Sequence, residues 1–133
     1  MRRFKVTMVA IAALALLLAT SAMAADPTVD SVLAIEYDSG VFAAAVLAHG
    51  PAPLAFADLF VNGVQVTDAK ESHIVLLRAK NLTLFKFILS GPGAVIQPGD
   101  SVSAEVTDIS GNTAEKTVGC AAGRLLHQLV ICR

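Results

Sequence analysis

Tryptophan is missing from this sequence, tyrosine occurs once, at Tyr37, and charged residues make up only 16% of the chain. With 55% apolar residues beside so little charge, the composition excludes a disordered polymer. Histidine is equally sparse. His49, His73 and His127 fall in different segments without H-x-H, H-x-x-H or H-E-x-x-H spacing, so each reads as a surface or turn residue rather than a ligand or base. Ser90-Gly91-Pro92-Gly93 is not G-x-S-x-G and has no acid or histidine partner nearby, which removes the usual sequence support for a serine nucleophile. Internal repeats and low-complexity tracts are also absent. Neither an enzyme nor a bound cofactor is indicated.

What is present begins with an export signal. Arg2, Arg3 and Lys5 form a basic start, an uncharged run follows from Val6 to Ala19, and Ala22-Met23-Ala24 supplies the small-x-small pattern of a cleavage site. Cleavage between Ala24 and Ala25 is expected. An uncleaved anchor is the competing reading, because no charge falls between Lys5 and Asp26 and about 20 apolar residues span a bilayer. The hydrophobic part proper is nearer to about 14 residues and ends in small residues, which favours a removable leader and no stable membrane insertion after processing. The expected location is therefore exported, periplasmic or extracellular.

Removing residues 1–24 takes away three basic residues and leaves 7 Lys and Arg against 11 Asp and Glu, a net charge of −4. That balance argues against nucleic acid or an anionic membrane as partner. The remaining residues suffice for one domain, expected over residues 25–119, with a C-terminal tail over 120–133.

Both cysteines lie in that tail. An exported compartment lets Cys120 and Cys132 pair, closing a short loop and removing about 3 kcal/mol of unfolded-state freedom in the chain-entropy model. The expectation is a disulfide stapling the tail. An intermolecular bridge and a redox pair are the alternatives, although the spacing is not C-x-x-C. Zinc is poorly supported, since only His127 lies nearby.

From Val29 onward, short β-rich runs are broken by Gly, Pro, Asn and Asp about every ten residues, the rhythm of a sandwich or barrel. Val29 to Tyr37 places Leu33, Ile35 and Tyr37 on one face and Ala34 and Glu36 on the other. Val41 to Ala48 returns as its hairpin partner, although Ala43, Ala44 and Ala45 make a weak strand and leave a helix conceivable. Asn62-Gly63 predicts a tight hairpin between Phe56 to Val61 and Val64 to Thr67. After a polar turn over Asp68 to Ser72 come strands at Ile74 to Arg78 and Leu82 to Leu89. In the second of these only Lys86 breaks the apolar character, which suggests a largely buried central strand. The cleanest alternation follows, with Val102, Ala104 and Val106 inward and Ser101, Ser103, Glu105 and Thr107 toward water. Thr113 to Val118 returns from a turn at Asp108 to Asn112. Leu125, Leu126, Leu129 and Val130 suit a short helix, or equally a strand.

The run from Pro98 to Ala114, PGDSVSAEVTDISGNTA, resembles the penultimate strand, hairpin and last strand of bacterial immunoglobulin-like domains of exported proteins, and Phe60-Val61-Asn62-Gly63-Val64 looks like their middle hairpin. The resemblance implies an all-β fold: one immunoglobulin-like Greek-key β-sandwich of about seven strands, with a short C-terminal helix or strand. It also implies structural roles, with Asp108 accepting hydrogen bonds from turn amides and Gly111 supplying a left-handed position.

Functional candidates are few. Asp100 or Asp108 with Asn112 is a weak calcium site, because hard cations want several oxygen ligands and the acids here are sparse. Leu54, Phe56, Val95 and Ile96 lie beside proline and glycine, where a sandwich places its loop tips, and are candidate contact residues, with plugging of the sandwich ends as the other account. The function expected is that of an exported, non-catalytic module that binds an unknown protein partner or surface, or has an accessory structural role. The alternatives are a metal- or small-ligand-binding periplasmic protein and a secreted enzyme inhibitor.

Overall fold

Residues 26–91 and 93–133 are described by a computed structural model, so the expected leader and its cleavage point at Ala24 and Ala25 lie outside the described residues. The described residues form nine strands: β1 (Thr28–Tyr37), β2 (Val41–His49), β3 (Leu54–Val61), β4 (Val64–Gln65), β5 (Lys70–Leu77), β6 (Leu82–Ser90), β7 (Ser101–Asp108), β8 (Thr113–Ala122) and β9 (Gln128–Cys132). A 3-10 turn at Arg78–Lys80 is the helical element closest to regular among the described residues. Nine strands replace the seven or so expected. β4 is a two-residue strand and the tail forms β9 instead of a helix.

Turn chemistry sets the hairpins. Asn62 and Gly63 both take positive φ, +50° and +80°, as a two-residue hairpin turn requires. At the β7–β8 turn Gly111 sits at φ +88°, where a Cβ would be strained. The Asp108 carboxylate there accepts the backbone N–H groups of Ser110 and Asn112, each at 2.9 Å. These amides would otherwise lack partners inside the turn.

The strands form one antiparallel sheet in the order β4-β3-β7-β8-β9-β1-β2-β6-β5. Its continuity depends on β8, whose first part, Thr113 to Gly119, pairs with β7 while Cys120 to Ala122 pairs with β9. The sheet folds over along β8, so that β1 lies against β7 and β3 against β6 around one core. β9 is central to the sheet, with β8 on one side and β1 on the other. The boundary at residue 119 therefore falls within β8.

Phe42, Val46, Leu59, Phe85, Val102 and Val106 are fully enclosed in that core. β2 is a strand despite its alanines because it is hydrogen-bonded on both sides, by β1 and β6, and sets Phe42, Ala44, Val46 and Ala48 inward. Pairing and burial here override intrinsic propensity. In β1 the core-facing side is the smaller one, Val32, Ala34 and Glu36, while Leu33, Ile35 and Tyr37 line the outer face. Two strand patterns are corrected. Ser103 is buried, not solvent-facing, because Phe60 and Thr117 flank it across the sheet and its hydroxyl pairs with that of Thr117 at 2.8 Å. Among the described residues β6 is covered on one side only: Thr83, Phe85 and Phe87 are buried, while Lys86 and Ile88 are exposed because none of those residues forms a layer over them.

Candidate interaction surface

The sequence-predicted site residues do not converge. Leu54 and Ile96 are buried and so are withdrawn from the contact surface expected of them. The cause in the second case is Glu36. Its carboxylate, itself buried, accepts the backbone N–H groups of Val95 and Ile96 and holds their loop so that Ile96 enters the core. Val95 is half-buried against the core, and Phe56 alone of the four is exposed.

Asp100 and Asp108 stand at opposite ends of β7, and their oxygens are engaged in turns. Asp108 binds Ser110 and Asn112 as described, and its other oxygen accepts Asn112 Nδ2 at 3.2 Å. Asp100 accepts Asn62 Nδ2 at 3.0 Å and the backbone N–H of Gln97 at 2.8 Å. The Asn62 amide first, then the Gln97 amide, lowers the Asp100 pKa below its ordinary value of 3.8. Asn62 Oδ1 in turn accepts the N–H of Ser101 at 2.9 Å, tying the β3–β4 hairpin to the start of β7.

Cys120 and Cys132 lie directly opposite on β8 and β9 with Cα atoms 4.0 Å apart and form a disulfide within the chain. His49, His73 and His127 pair singly through Nδ1 with Asp30, Glu71 and Asp38, at 2.8, 3.0 and 2.8 Å, in three separate places.

A different feature stands out: the ribbon made by β5, the Arg78–Lys80 turn and β6. β5 pairs with β6 on one side and has no strand on the other among the described residues, so alternate backbone N–H and C=O groups point outward unpaired. Along it Ile74, Val75, Leu76 and Leu77 are consecutively exposed, at 56%, 48%, 53% and 47%. A register shift between Val75 and Leu77 ends the regular pairing. The turn is fixed in place rather than left to fray: Asn81 takes φ +55°, donates through Nδ2 to the Gly50 carbonyl at 2.9 Å, and Gly50 N–H donates to the Lys80 carbonyl at 3.1 Å.

The outer face continues this surface. Ile35, Ala43 and Ile88 form one cross-strand row, and Leu33, Ala45 and Lys86 the next. The short alanines between longer neighbours leave a shallow apolar groove of about 230 Å³.

Charge is unevenly divided. Of the seven Lys and Arg in residues 26–133, Lys70, Arg78, Lys80 and Lys86 all lie within residues 70–90, with Glu71 the one carboxylate there, a local net of +3. All four cations are exposed, and among the described residues none forms an ion pair. The remainder, with Lys116, Arg124 and Arg133 against ten carboxylates, carries −7.

Sequence reading places a strand here without marking it as a surface. The available signal was four successive large apolar residues between basic flanks, and only the edge position reveals that none of the described residues covers them. No protein-family model matches the chain, and no curated protein matches it.

Proposed function

We propose that this protein is an exported, non-catalytic immunoglobulin-like module that binds a protein partner through the β5–β6 ribbon. The observation carrying this reading is the run Ile74–Leu77, exposed on an unpaired strand edge and held by a pinned turn. Monomeric proteins blunt such edges or cover them, and an exposed apolar edge of this kind suits strand addition by a partner. Pre-organisation of the turn lowers the ordering cost of docking. The non-catalytic part comes from the sequence, in which the three histidines fall in different segments and no G-x-S-x-G nucleophile motif occurs. Export is supported by the basic and apolar leader pattern, with which the disulfide is compatible.

The test is site-specific photo-cross-linking in the producing cell, with the reactive residue placed at position 76 on β5, at 56 on β3, or at 115 on β8. A discrete adduct with another protein at position 76, and none at 115, is the expected result. An adduct at 56 with none at 76 would move the docking surface to β3 and refute this assignment.

A further inference from the structure

The ribbon carries more than apolar surface, and its chemistry narrows what fits. Three properties coincide on β5: a row of unpaired backbone donors and acceptors, an apolar centre at Ile74–Leu77, and cations at both ends, with Lys70 and Lys86 toward one and Arg78 and Lys80 toward the other. We infer that β5 takes up an extended peptide segment, apolar in the middle and acidic at its ends, which adds to the sheet as a tenth strand. This rests on reading the ribbon as the docking surface and names the chemistry of what docks.

Each property excludes a different occupant. An anionic lipid surface would satisfy the cations and the apolar centre but leave the outward N–H and C=O groups without partners, which is costly away from water. A second copy of this chain could supply a strand, but pairing two β5 edges brings together two strips of net +3 and lays the Lys70 end against the Arg78 and Lys80 end. Like charges across an interface oppose association. An acidic-ended strand satisfies the backbone row, the apolar centre and the cations together. Within residues 70–90 the one competing carboxylate is Glu71, which lies at 3.0 Å from His73, and Asp68 stands just before Lys70.

The experiment uses protein expressed from the full 133-residue chain and fluorescent peptides of about ten residues, long enough for one strand. One peptide alternates valine and threonine between paired aspartates, a second replaces the aspartates by lysines, and a third is the aspartate peptide N-methylated at every amide of its valine and threonine centre, so that neither edge can donate to β5. Binding is read by anisotropy. The aspartate peptide is expected to bind on the order of tenfold more tightly than the lysine peptide and to weaken in about 0.5 M salt. N-methylation should abolish binding. A Lys70→Glu, Arg78→Glu, Lys80→Glu variant, altered only at exposed positions, should reverse the preference between the two charged peptides.

Equal binding of the two charged peptides, or undiminished binding after N-methylation, would overturn the inference. So would sedimentation showing a dimer that Ile74→Lys dissociates, or binding to phosphatidylglycerol vesicles in place of the peptide. Failure of every peptide while the position-76 cross-link still forms would overturn this partner chemistry and leave the docking surface standing. Loss of both would remove both.

Discussion

β7 and β5 both carry apolar residues, alternating with polar ones in β7 and consecutive at Ile74–Leu77 in β5, and these meet opposite fates. In β7, Val102, Ala104 and Val106 are fully buried between neighbouring strands and the facing layer, whereas in β5 the run Ile74–Leu77 is half-exposed throughout. Position in the sheet accounts for the difference in burial. β7 has β3 on one side, β8 on the other and β1 across the core, while β5 has β6 alone among the described residues. The two sheet edges also differ. β4 is only two residues long, and the chain enters β3 through Pro51-Ala52-Pro53, whereas β5 runs eight residues with no Lys, Arg, Asp or Glu from Ser72 to Leu77. Short strands and prolines are ordinary protection for an edge. β5 has only its terminal cations and the register shift between Val75 and Leu77 for protection, and its apolar run Ile74–Leu77 stays exposed, which is the contrast that the proposed docking role builds on.

Mutations can break or sharpen this contrast. The largest effect should come from the covered half. Phe42→Ala removes a fully buried ring and should cost about 3–5 kcal/mol in urea unfolding. Ile74→Ser in β5 should stay within about 0.5 kcal/mol of the parent, as exposed substitutions usually do. A comparable loss at both positions would mean that β5 is covered in solution.

Replacing Cys120 and Cys132 together by alanine should lower stability by about 3 kcal/mol, since the bridge closes a short loop in the unfolded chain. The same replacement should leave binding at β5 intact, because the bridge joins β8 to β9, several strands away. Asp108→Ala should cost about 1–3 kcal/mol by leaving the Ser110 and Asn112 amides without their acceptor. Thermal or urea unfolding reads both.

The smallest effect concerns acid. The Asp100 pKa is lowered in the folded protein, so its contribution is fully present above the ordinary value of 3.8 and is lost as pH falls through the lowered folded value. Asp100→Asn should flatten the stability profile only in that acidic range, as a pH series of unfolding curves would show.

The parts legible in the sequence were those governed by near neighbours. The alternation of Val102, Ala104 and Val106, the positive-φ turn at Asn62-Gly63 and the Asp108 turn all follow from residues a few positions apart. The disulfide was legible because only two cysteines exist. What escaped depends on distant chain. Ile96 is buried through the side chain of Glu36, sixty residues earlier, and Ser103 is hidden by Phe60 and Thr117 on two other strands. A continuous apolar strand such as β6 reads as central when one of its faces has no cover. The second half of β5 was recognisable as a strand, although Lys70 to Ser72 read as a polar turn, and its edge position was not, since neither its residues nor its length encodes which strands stand beside it.

The most direct measurement is residue-resolved amide hydrogen exchange of the free protein across β5 and β2. In β2, hydrogen-bonded on both sides, every amide should be protected. In β5, protection should alternate, with amides turned toward β6 slow and those turned outward exchanging near the unstructured rate. Uniformly slow exchange from Lys70 to Leu77 would contradict the account, because it would show that this edge is already occupied.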